Sequence, residues 1–209
     1  MFLKTRLLQL ALILFVSGIV VWVQGQSPID GIDARANTAD LAKQLGSSDP
    51  LVRQRSAEAL AQLAATQQRK IVEGYALEEK NKDVRLALEW ALYRMGKSES
   101  LFRVVRDLDS GRQDQAIGYL SALESPEFLY PFLKNQNNPP KVTAGLLKVL
   151  ARIGNAETLE LIKPYRESLK PFVAEAAETA SDEIEKRLGQ EASTPTSGRP
   201  RTTGKPQPQ

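Results

Sequence analysis

The chain has 209 residues with 28 Lys+Arg, 25 Asp+Glu, no His and no Cys, for a formal charge of +3. Without His or Cys there is no Ser-His-Asp triad, no Cys nucleophile, no disulfide and no imidazole or thiolate metal site, so any chemistry would run on carboxylates, Lys, Tyr or Ser. The positive excess sits at the two ends, with Lys4 and Arg6 in the first 25 residues and Arg199, Arg201 and Lys205 against Glu191 in the last 20, which leaves 23 basic and 24 acidic residues between them.

Residues 1–25 predict an export signal. Lys4 and Arg6 precede an apolar run from Leu7 to Val23, broken only by Gln9, Ser17 and Gly18. Val23 and Gly25 fit the small-residue positions before a cleavage point, which would make Gln26 the first mature residue. The alternative is an uncleaved single-pass membrane anchor over residues 7–23, which at ~1.5 Å per residue would span about 25 Å. On either reading the body is exported, periplasmic or extracellular, because the two cations hold the short amino terminus inside. Residues 26–36 read as a linker.

Residues 37–189 predict an all-α domain. Apolar residues recur at helical spacing, as at Val52, Ala59, Leu60 and Leu63. The pattern returns at Val84, Ala91, Leu92 and Met95, then at Val142, Val149, Leu150 and Ile153, then at Val173, Ala180 and Ile184. A degenerate copy lies between, at Arg112, Tyr119, Leu120 and Leu123, and the spacings between copies are 32, 28, 30 and 31 residues. Such self-similarity predicts about five stacked helical hairpins, an α-α superhelix. Leading helices are expected near 37–46, 67–80, 98–109, 126–137 and 156–168. Asp49 followed by Pro50 reads as a helix N-cap, and Gly46, Gly96, Gly154 and Gly189 read as helix ends.

The runs Asp49-Pro50-Leu51-Val52-Arg53 and Asp83-Val84-Arg85, each followed by Ala-Leu at Ala59-Leu60 and Ala91-Leu92, resemble HEAT-type repeats, closest to the short variety seen in phycobilin lyases. The resemblance implies an armadillo-like helical solenoid in which the second helix of each hairpin lines a concave face. That face would carry Gln54, Glu58 and Gln62, then Leu86, Trp90 and Arg94, then Asp114, Gly118 and Ala122, then Ala144, Lys148 and Arg152, then Glu175, Thr179 and Glu183. Trp90 flanked by Arg94 has the composition of a binding hot spot, with Lys148, Arg152 and Glu58 as further candidate contacts. The competing reading of Trp90 is packing over the small Gly118.

Other constellations read as structure. Asp49 with Arg53, and Asp83 with Arg85, are expected to cap helices and form ladders between repeats. Asp107 and Asp109 fall short of the six to eight oxygens calcium prefers. Phe128, Tyr130 and Phe132 are expected in the core of the fourth leading helix, beside Glu124 and Glu127. No catalytic residue, metal site or cofactor is expected, and the body lacks the basic stripe of a nucleic-acid binder.

Residues 190–209, with Pro195, Pro200, Pro206 and Pro208 and no large apolar side chain, predict a disordered tail. Its three cations could give weak attachment to an anionic surface, at ~1 kcal/mol each. The function expected from these features is a non-enzymatic, exported scaffold that binds a protein or peptide partner. The alternatives are a lyase-like enzyme, implied only by the resemblance, and a passive subunit of an envelope assembly.

Overall fold

A computed structural model describes residues 38–193, and the described residues are helical with no strand. The expected signal or anchor at 1–25, the linker at 26–36 and the tail beyond residue 193 lie outside them. Ten α-helices alternate short and long: α1 Thr38–Gln44, α2 Pro50–Gln62, α3 Arg69–Glu78, α4 Lys82–Arg94, α5 Ser100–Arg106, α6 Gln113–Leu120, α7 Tyr130–Leu133, α8 Pro140–Ile153, α9 Ala156–Ile162 and α10 Pro171–Ser193. Among the described residues, no helix is long and apolar enough to cross a membrane.

Local chemistry explains the boundaries. The Asp49 carboxylate accepts from the Leu51 N–H at 2.9 Å and Pro50 opens α2, as expected. The cap of α4 is Asn81 rather than Asp83: its side-chain oxygen accepts from the N–H groups of Asp83 at 2.9 Å and Val84 at 3.2 Å. Asn155 and Thr158 form a reciprocal capping box at α9. The leading helices are shorter than the pattern suggests because 3-10 turns extend them, at Thr66–Gln68, Asp107–Asp109, Pro126–Leu129 and Lys163–Glu167. Pro126 and Pro164, which lack an N–H to donate, stand at the start of two of these turns.

The expected glycine stops behave differently from one another. Gly96 follows α4 at φ +92°, a conformation that glycine adopts without strain. Gly154 ends α8 in extended backbone, and a Cβ there would lie 2.5 Å from the Leu150 carbonyl and 2.7 Å from the Ile184 side chain. Gly189 stops nothing, since α10 runs through it to Ser193. A single glycine costs a helix only about 1 kcal/mol, which the packing of α10 against α8 outweighs.

The core follows most of the predicted anchors, although Val52, Arg112, Tyr119 and Ile153 are only half-buried. Val84, Ala91, Leu92, Met95, Leu120, Leu123, Val142, Val149, Leu150, Val173, Ala180 and Ile184 are all buried. Leu63 is 46% exposed, contrary to expectation, and stands at the C-cap of α2, past the turn that carries the buried Ala59 and Leu60. Phe128 is 49% exposed and Phe132 half-buried, so in the fourth leading segment the core is formed by Leu129, Tyr130 and Leu133 instead. The most extensive pairings between helices are α2 with α4 and α8 with α10. The short α6 packs on α8 and meets α4 at few positions.

Candidate functional site

The residues expected on the partner-facing side separate into two groups. Lys148 and Arg152 belong to a cleft of about 780 Å³ bordered by α6, α8 and α10. Helical spacing places Ala144, Lys148 and Arg152 in register on α8, and Glu175, Thr179 and Glu183 in register on α10, while Asp114 enters from α6. Lys148, Arg152, Asp114, Glu175 and Glu183 are exposed and form no ion pair among the described residues. Arg187 also lines the cleft, but its guanidinium is committed. It donates to the carbonyls of Ala151 at 3.0 Å, Arg152 at 2.8 Å and Gly154, satisfying the last turn of α8. Phe172, at the start of α10 and 45% exposed, gives the cleft an aromatic edge that the repeat pattern did not indicate.

Glu58, Trp90 and Arg94 form a packed network instead. Trp90 is only 6% exposed. Its ring lies nearly parallel to Tyr119, with centroids 5.7 Å apart and 5° between planes, and it also stacks on Tyr93 at 5.5 Å. The expected packing over Gly118 does not occur: a Cβ on that exposed glycine would meet nothing within 4 Å. Arg94 places its guanidinium carbon 5.9 Å from the centre of the Trp90 ring and lies 3.7 Å from Glu124. The Glu58 carboxylate accepts from Gln54 at 3.0 Å and from the Tyr119 hydroxyl at 2.5 Å. Burial, and secondarily the Glu58 carboxylate, push the Tyr119 phenol far above its ordinary value of 10, so it remains a donor throughout the neutral range.

The other sequence candidates are structural in geometry. Arg53 does not pair with Asp49. It forks onto Glu79, at 2.7 Å and 3.0 Å, and donates to the carbonyls of Ser47 and Ser48. Arg85 forms no ion pair with Asp83. Asp107 pairs with Arg112 at 2.6 Å, and Asp109 lies 3.8 Å from Lys141. Among the described residues no three carboxylates converge as metal ligands. Sequence reasoning missed a second cleft, of about 910 Å³, whose wall includes Arg85, Glu89, Phe102 and Arg106. The available signal was Phe102 set among Arg103 and Arg106 on the polar side of α5. Comparison with known proteins finds no matching family model and no matching curated protein.

Proposed function

We propose that this chain is a non-enzymatic scaffold that binds a protein or peptide partner through the cleft of α6, α8 and α10, on a HEAT-like solenoid exported from the cytoplasm. The observation that carries this reading is the set of uncommitted charges in register along that cleft. Lys148 and Arg152 face Asp114, Glu175 and Glu183 across it without pairing, so both signs are available to a partner. Exposed charges of both signs select a partner by complementarity more than they hold it by energy. The aromatic edge at Phe172 supplies apolar contact area. Export rests on the charge and apolar pattern of residues 1–25.

In-cell crosslinking of the full-length tagged chain, followed by mass spectrometry, tests the proposal. A dominant partner crosslinked at Lys148 is expected, and Lys148→Glu with Arg152→Glu should abolish its capture while leaving the far-UV circular dichroism unchanged. Capture that survives both charge reversals would exclude this cleft. The amino-terminal peptide in the same sample is expected to begin at Gln26.

A further inference from the structure

The second cleft is lined in part by a buried carboxylate that is only half satisfied. Glu89 of α4 is 4% exposed, and one of its carboxylate oxygens, Oε1, accepts from the Arg103 guanidinium. The other, Oε2, is buried with no hydrogen-bond partner. Buried carboxylate oxygens without donors are rare because they forgo water without replacement. Glu89 is among the residues that line the cleft, and Oε2 itself is closed to solvent, so a bound donor reaches it as the wall opens around the ligand.

The surrounding charges restrict what that group is. Arg103 is engaged by Glu89 and Arg112 by Asp107. Lys82, Arg85 and Arg106 are exposed and form no ion pair among the described residues, so the rim carries free positive charge. Between rim and floor lie exposed apolar side chains: Leu77, 84% exposed, and Phe102, 58% exposed, whose ring lies 6.4 Å from Phe132. A simple anion would satisfy the arginines but offer no donor to Glu89, which would repel it. A basic ligand would reach Glu89 only past the cationic rim. A peptide meets all three demands, with backbone N–H groups to donate, carboxylates for the rim and apolar side chains for the phenylalanines.

We infer that this cleft binds an acidic peptide in which carboxylates alternate with apolar side chains, its carboxylates on Arg85 and Arg106, its apolar groups on Phe102 and Leu77, and a backbone N–H on Glu89 Oε2. The site is independent of the α6–α8–α10 cleft and of the partner assigned there.

The test is fluorescence anisotropy with the full chain and a labelled Asp-Leu-Asp-Phe-Asp-Leu peptide. Saturable binding is expected, weakened about tenfold by Arg85→Glu with Arg106→Glu, as expected when several exposed charge contacts are reversed together. Phe102→Ala should weaken it too, and being exposed it leaves the fold intact. Glu89→Gln should reduce affinity with unchanged circular dichroism. Should that variant not fold, the arginine and phenylalanine variants decide the matter alone. Equal binding of Lys-Leu-Lys-Phe-Lys-Leu, equal binding of an Asp-Gly repeat, or affinity indifferent to Arg85 and Arg106 would overturn the inference. So would complete displacement of the peptide by inorganic phosphate or by phosphatidylglycerol vesicles, which would make this an anion or lipid site. Partner crosslinking at Lys148 should be unaffected by Arg85→Glu and Arg106→Glu, so the two sites fail separately.

Discussion

Ala64 and Gly96 occupy the same place in successive hairpins, two residues past the ends of α2 and α4. Both turn the chain with left-handed backbone, Ala64 at φ 45° and Gly96 at φ +92°. The following N–H groups reach back across the helix end in the same way, Ala65 to the Leu60 carbonyl at 3.1 Å and Lys97 to Leu92 at 2.9 Å. An L-residue with a Cβ pays about 1–2 kcal/mol for this conformation, whereas glycine adopts it freely at a cost of about 0.5–1 kcal/mol in unfolded-state entropy. Ala64→Gly should therefore stabilise the protein by about 0.5–1 kcal/mol. Gly96→Ala should destabilise it by about 1 kcal/mol, a purely backbone effect, since a Cβ there meets no neighbour within 4 Å. Urea unfolding of the two variants checks both signs. A loss of stability in Ala64→Gly would mean that Ala64 is not held in this conformation. Gly96 was legible in the sequence as punctuation. Ala64 was not, because alanine is the strongest helix former and nothing local announces that it ends a helix.

At the scale of elements, existence and order were legible because periodicity, caps and breakers agreed, and packing buried most of the same anchors. What joins one element to the next was less so, because a side chain's partner across a turn is set by geometry that spacing does not encode. Arg53 was expected to cap a helix end and join one repeat to the next, but the partner that it finds, Glu79 at the end of α3, lies 26 residues away and is not marked by spacing. Glu79 in turn accepts from the Asn81 N–H at 2.8 Å, so one buried carboxylate ties α2 to the entry of α4. The hydrogen bonds from Arg53, more than their charge alone, hold the Glu79 carboxyl below its ordinary value of 4.5 despite its burial. A carboxyl depressed by folding adds stability that is fully present above the ordinary value and is lost as pH falls through the folded one. Glu79→Gln should thus be less stable than the parent at neutral pH by about 1–3 kcal/mol, and the gap should narrow progressively below pH 4.5. Denaturation at a series of pH values measures that gap. A gap constant down to strongly acid conditions would show that the pair contributes through shape rather than charge.

Across the described residues, α4 and α6 meet at few positions, and a tyrosine stands where they approach. The equivalent residues in the other copies are Ala59, Ala91, Val149 and Ala180, small enough for neighbouring helices to approach. In the degenerate third copy the position holds Tyr119, whose ring stacks on Trp90 of α4 while its hydroxyl reaches Glu58 of α2. Gln115 reinforces the link by donating to the Tyr119 hydroxyl at 2.8 Å and to the Asp83 carbonyl at 3.1 Å. The α2–α4 pair and the α8–α10 pair are each extensively packed, and two routes join them: α5 with the Asp107–Asp109 turn, and the Tyr119 bridge. The sequence marked Tyr119 as a departure from the pattern but could not show that the departure bridges three hairpins. Between packed units of one domain, cooperativity fails first where the contacts that join them are fewest. Tyr119→Ala should cost about 3–5 kcal/mol and also lower the urea m-value, as the two packed pairs begin to unfold separately. Tyr119→Phe keeps the stacking and loses only the hydroxyl, so it should cost about 1 kcal/mol with the m-value unchanged. If Tyr119→Ala shifts the midpoint but keeps the parental m-value, the hairpins are coupled through α5 and the Asp107–Asp109 turn, which pack on α4 and α8 respectively, rather than through Tyr119.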